Sequence, residues 1–252
     1  MTHATRVIRL EQNGPGSAEL KTMECNPADF ESPVPKQNLH VYFEDEENGF
    51  SVGVWDTTPM KEAFGPYPGD EFIWVLEGEF DMEDGNGGAV HCPTNSCVSF
   101  RNAAPVSWNQ KGYLKKFYIT YLDPKMETPK IDSAEGAIQI LNSDVAMDVM
   151  ENTEPFEIEG VVPVQRNHTN FTNDAGNFFT GTWESGPMVS KMLPFPTHEF
   201  VRMLEGEVTI TEQDGTTQTF RADDCFFIPK GTVCSWEITD RVKKHYAILM
   251  VE

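Results

Sequence analysis

Apolar and polar residues alternate with a period of two over Glu207-Val-Thr-Ile-Thr-Glu212, the pattern of a strand with one buried face. Gln213-Asp-Gly215 then reads as a hairpin turn and Thr216 to Phe220 as the returning strand. Cys225-Phe-Phe-Ile228 is a short continuous apolar run closed by the turn Pro229-Lys-Gly231, and His245 to Val251 is a last apolar strand. Phe72-Ile-Trp-Val-Leu76 and Phe200-Val-Arg-Met-Leu204 are two more runs of strand formers, each ended by Glu-Gly-Glu. Short strands at regular spacing with Gly and Pro turns predict an all-β sandwich or barrel. No long amphipathic helix is visible. The stretch from Asp123 to Gly160 reads as a connector with at most a short helix over Asp144–Met150.

The pattern repeats. Phe50-Ser-Val-Gly-Val-Trp55 recurs 128 residues on as Phe178-Phe-Thr-Gly-Thr-Trp183. The same offset carries Pro59-Met60 onto Pro187-Met188, Glu71-Phe72 onto Glu199-Phe200, and Leu76-Glu-Gly-Glu79 onto Leu204-Glu-Gly-Glu207. It also carries Ser107-Trp108 onto Ser235-Trp236, Lys115-Lys116 with Tyr118 onto Lys243-Lys244 with Tyr246, and His40 onto His168. No gap is needed, so two copies of one module are expected, divided as residues 1–125 and 126–252.

Composition narrows the partners. With 252 residues there is room for two domains, and a formal charge of −21 repels nucleic acid and anionic membranes while leaving a cationic substrate admissible. The plainest reading of the charge is a solvated acidic surface. No stretch reaches the roughly 20 apolar residues of a membrane-spanning helix. Met1 to Leu10 carries Arg6 and Arg9 without an apolar core, so no secretory signal is expected. Cys25, Cys92, Cys97, Cys225 and Cys234 are an odd set without a CxxC pair, which predicts free thiols in a reducing cytoplasm.

A consistent order of residues now stands out: Trp183-Glu184, Pro187, His198-Glu199-Phe200, Leu204 to Glu207, Asp214-Gly215, Asp223-Asp224, Ile228-Pro-Lys-Gly231, Trp236 and Lys244-His-Tyr246. It resembles the cupin subfamily named for the (S)-ureidoglycine aminohydrolase cupin domain, which also includes ethanolamine-utilisation cupins. The resemblance implies two tandem double-stranded β-helix (jelly-roll) barrels, a ligand pocket inside each, and pairing into a homodimer, although two fused modules could satisfy that pairing within one chain. It is specific for fold; cupins host many unrelated chemistries.

The resemblance also implies where a metal would sit. Metal cupins supply His-x-His, a Glu shortly after, and a third His beyond the Pro-x-Gly turn, a set suited to Mn, Fe, Ni or Zn. In the second copy the Glu is Glu199. The His pair would fall at Met192/Pro194 or Leu193/Phe195 and the third His at Cys234, so a single ligand survives. No cofactor is therefore expected; if a metal binds, Glu199, His198 and Cys234 are the candidates, though adjacent strand residues point to opposite faces. The first copy keeps Glu71 but has Val106 at the third position.

These observations place the site in the second barrel and give the first a mainly structural role. Glu199 is the candidate catalytic acid or base, with Arg202 or Lys191 as its nearest cationic partner in sequence. Glu184, Arg202, Cys234, Trp236 and Glu71 are the candidate ligand-binding residues. Cys97 and Cys225 read as core fillers, Trp55 and Trp183 as packing anchors, and His40 and His168 as arm contacts. The expected function is binding, with conversion as an extension, of a small polar, nitrogen-containing metabolite. The alternatives are a metal-dependent enzyme of the ureidoglycine aminohydrolase kind and a non-catalytic sensor or scaffold.

Overall fold

A computed structural model describes residues 5–17 and 19–251. The described chain is built of antiparallel strands with two short 3-10 turns, Pro15–Ser17 and Pro27–Asp29. It divides into two compact units, Leu10–Leu141, and the residues from Asn142 on together with the N-terminal segment through Arg9. Each unit holds two sheets. In the first, a seven-stranded sheet runs in the order Ile138–Ile140, Cys97–Phe100, Asp70–Glu77, Leu114–Tyr121, Phe50–Thr57, Gln37–Asp45, Lys21–Met23. The second unit repeats this order with Ile8–Arg9, Cys225–Ile228, His198–Glu205, Val242–Leu249, Phe178–Ser185, Gln165–Thr172 and Asp148–Val149. Smaller sheets centred on Pro105–Gln110 and Val233–Ile238 complete the barrels.

The edge strands explain why the units do not divide at residue 125. The connector strand Ile138–Ile140 still pairs with Cys97–Phe100, and Ile8–Arg9 pairs with Cys225–Ile228. The short helix expected over Asp144–Met150 does not form. The backbone bonds instead to the neighbouring strand: Asp148–Val149 pairs with Asn167 and Arg166, and the Met150 amide donates to the Gln165 carbonyl.

Alternation places the core. On Asp70–Glu77, Ile73 and Val75 pack inward with Phe80, Phe100, Val106 and Trp108; on His198–Glu205, Val201 and Met203 pack with Val208, Phe226, Ile228 and Trp236. The Leu-Glu-Gly-Glu motif has a specific cause. The ladder skips Leu76 in one unit and Leu204 in the other, a β-bulge that re-aims the end of the strand. Gly78 and Gly206 follow with φ of 77° and 78°, and a Cβ at either would run into the carbonyl oxygen of Tyr113 or Arg241. Gly53 and Gly181, in mid-strand, meet a second constraint: a Cβ there would collide with the Tyr118 or Tyr246 hydroxyl and with the carbonyl of His40 or His168. Among the described residues no helix is long and apolar enough to cross a membrane.

Candidate functional site

The same four-residue constellation is built into both units. In the second, the Lys244 ammonium donates to Glu199 Oε1 at 2.6 Å, and its Nζ stands 4.7 Å and 4.6 Å from the ring centres of Trp183 and Trp236. In the first, Lys116 Nζ donates to Glu71 Oε1 at 2.9 Å and stands 5.0 Å and 4.9 Å from Trp55 and Trp108. Strand register produces this. Lys116 is opposite Trp55 on one side and Val75 on the other; Lys244 is opposite Trp183 and Met203. Each ammonium is thus aimed at a carboxylate across the sheet and held against aromatic faces that favour a cation. Burial pulls the Lys244 pKa down, while the Glu199 carboxylate opposes that shift.

The two barrels differ in what lies in front of this pair. In the second, Phe156 packs on Trp236 at 5.0 Å and on Trp183 at 5.9 Å, and Phe195 lies parallel to Trp236 at 6.2 Å. Glu199 and Lys244 lie behind them, their side chains only 3% and 4% exposed. The position equivalent to Phe156 in the first unit is Ala28. There the interior opens into a cavity of about 290 Å³, lined by Trp55, Trp108, Glu71 and Lys116 together with Glu62 and Tyr67. The equivalents of Glu62 and Tyr67 are Ser190 and Phe195.

Those two residues give the first cavity its chemistry. Tyr67 donates its hydroxyl to Glu71 Oε2, so Glu71 is held by a phenol and an ammonium together. Burial, then Glu71, push the Tyr67 pKa well above its usual value and keep the phenol protonated. Glu62 is half-buried, and its carboxyl has no hydrogen bond or ion pair among the described residues. Burial raises its pKa to about 7; Lys116 opposes the rise, and Glu71 and Asp29 add to it.

The residues singled out from sequence are placed as follows. Glu199 and Trp236 do face the second barrel's interior, but Glu199 is closed off by Lys244, and Trp236 by Phe156 and Phe195. Neither expected cation is the partner of Glu199. Lys191 lies at the surface, bonded to Glu157 at 2.9 Å, and Arg202 projects to the opposite face of the strand, beside His245 and 3.8 Å from Asp223. Glu184 points away from Trp183 and is held by Arg166 at 3.1 Å and Arg241 at 2.7 Å, so it is an ion-pair hub. Cys234 is buried in the core, and burial pushes its thiol up to about 12, which removes any thiolate at neutral pH. His198 stacks on Phe227, and its Nδ1 accepts from the Lys230 amide, away from Glu199.

The donor set therefore does not suit a divalent metal bound in the manner the resemblance implies. No three His, Cys, Asp or Glu side chains converge among the described residues, and Glu71 and Glu199 are each already neutralised by a lysine ammonium.

Comparison with known proteins agrees with this architecture. Residues 172–246 match the EutQ-like cupin domain family. No curated protein matches the chain. Among solved structures, a protein of unknown function of the DUF861 family from Pseudomonas syringae pv. tomato superposes with a TM-score of 0.78 at 20% identity, covering 97% of this chain and 100% of the other. A cupin 2 conserved barrel domain protein from Leptotrichia buccalis gives 0.55 at 12% identity over 85% and 89%. The DUF861 protein Ylba from E. coli gives 0.51 at 11% identity over 98% and 93%. The family match within the second barrel and the likeness of the whole chain to these structures show a cupin fold.

Proposed function

We propose that the first barrel, not the second, binds a small polar metabolite, and that Glu62 exchanges a proton with it. The observation that carries this reading is the contrast between two otherwise equivalent interiors: in one Phe156 packs on Trp236, the other is open to a cavity walled by Trp55 and Trp108. Ligand pockets are typically apolar and concave with a few convergent polar groups, and this cavity fits that description. Glu62 is the one cavity carboxylate without an internal partner, and it titrates near neutrality, where a general acid–base group is most effective. Glu71, Tyr67 and Lys116 form a closed hydrogen-bonded set behind it and supply fixed geometry. In the second barrel the same Lys–Glu pair is more deeply buried, behind Phe156 and Phe195, which favours a structural role for that half.

The test is 19F NMR of protein carrying 5-fluorotryptophan, screened against a library of small polar metabolites. Ligands are expected to shift Trp55 and Trp108 and leave Trp183 and Trp236 in place. Shifts confined to Trp183 and Trp236 would reverse the assignment. Where a ligand is also turned over, Glu62→Gln is expected to lower kcat by at least 100-fold.

A further inference from the structure

We infer that the occupant of the first barrel's cavity is an organic monocation, such as a protonated amine or amidine, recognised by Glu62 in the cavity walled by Trp55 and Trp108. The inference rests on the reading above that this cavity is a binding site, and it adds the ligand's charge.

The argument is a charge count. Three ionisable side chains of acid or lysine type line the cavity: Glu62, Glu71 and Lys116. Lys116 and Glu71 bond to each other at 2.9 Å, and Glu71 also accepts from Tyr67, so that pair is internally satisfied and neutral. Glu62 is left over. The cation beside it in sequence, Lys61, is committed to Glu31 and Glu83 at 3.2 Å each. The remaining groups near Glu62 are Asp29, from the turn Pro27–Asp29, which is acidic, and the protonated phenols of Tyr67 and Tyr118. An ionised Glu62 thus leaves the cavity with a net charge of −1.

Each class of ligand meets this differently. An anion would add a second negative charge at Glu62. A neutral ligand would exclude water and leave a carboxylate without a counter-charge. A monocation completes the balance at Glu62. The formal charge of −21 acts in the same direction by concentrating cations near the surface. At about 290 Å³ the cavity lies at the small end of ligand pockets, which run from roughly 300 to 1,000 Å³, so it suits a small molecule.

The test titrates the full chain, labelled with 5-fluorotryptophan, with three probes of matched shape: n-butylammonium, n-butanol and butyrate. Butylammonium is expected to shift the Trp55 and Trp108 signals with an affinity about tenfold above that of butanol, and butyrate to bind at neither. Glu62→Gln should weaken butylammonium about tenfold and leave butanol unchanged, which also reports an intact cavity. Glu151→Gln, an equal change in net charge at an exposed position of the other unit, should change neither. Butyrate or butanol binding at these tryptophans as tightly as butylammonium, or butylammonium indifferent to Glu62→Gln, overturns the charge assignment while leaving the binding site standing. Silence of both tryptophans to all three probes sinks the site and the inference together.

Discussion

Glu62 shows how one side chain changes the character of a barrel. Its carboxyl is drawn out of water without a bonded partner, and its pKa rises to about 7 from an ordinary 4.5. The sign of the linkage follows. A raised folded-state pKa means that the folded protein holds the proton more tightly than the unfolded chain between about pH 4.5 and 7, so stability falls as pH rises through that window. A shift of that size is worth roughly 3 kcal/mol in full, and half-burial reduces it to about 1–2 kcal/mol. Glu62→Gln is therefore expected to stabilise the protein by about that amount at pH 8 and to have no effect at pH 4.5. Thermal melts at both pH values check this; an equal effect at both would mean that Glu62 is solvated. Nothing in the repeat pointed to this residue. Glu62 and Tyr67 occupy positions where the two copies differ, and reasoning from a duplication selects what the copies share.

At the scale of strands, the Lys–Glu pairs are products of register. Lys244 lies 45 residues from Glu199 in sequence and next to it across the sheet. Removing one member of such a pair strands a buried charge, at about 3–5 kcal/mol, whereas replacing both with apolar groups can be close to neutral. Lys244→Met is thus expected to destabilise by about 3–5 kcal/mol and Lys244→Met with Glu199→Leu to recover most of it. Chemical denaturation of the two variants decides, and additive losses would show that the pair is not coupled. The strands and the opposite facing of His198 and Glu199 were legible from alternation alone. The lysine partner was present in the sequence as Lys115-Lys116 and Lys243-Lys244, repeated at the 128-residue offset, but short-range reasoning favours Arg202 and Lys191. A sheet makes sequence distance a poor guide to contact. The cover over the second pair was not legible because Phe156 comes from the connector, where no counterpart flags it: the first copy has Ala28 there.

At the scale of the molecule the dominant fact is charge: 40 acidic side chains against 19 basic ones. Several basic residues are paired at the surface, as in Arg6–Asp214 at 2.7 Å, Arg221–Glu207 at 2.6 Å and Lys191–Glu157 at 2.9 Å. Exposed pairs of this kind contribute at most about 1 kcal/mol each. The acidic excess leaves most carboxylates facing like charges, which opposes the compact state. Added salt screens both effects, since the Debye length falls from about 30 Å at 0.01 M to below 10 Å above 0.1 M. With 21 more acids than bases, the relief of repulsion outweighs the loss of paired attraction. The melting temperature is therefore expected to rise between 10 mM and 500 mM NaCl, by about 2–8 °C for a gain of about 1–2 kcal/mol. A fall over that range would mean that the surface pairs form a cooperative network stronger than the repulsion. The same titration bears on ligand capture. If acidic steering brings a cation to the first barrel, salt should slow its association while stabilising the fold, so the two responses move in opposite directions. Parallel movement would separate the surface charge from the chemistry of the cavity.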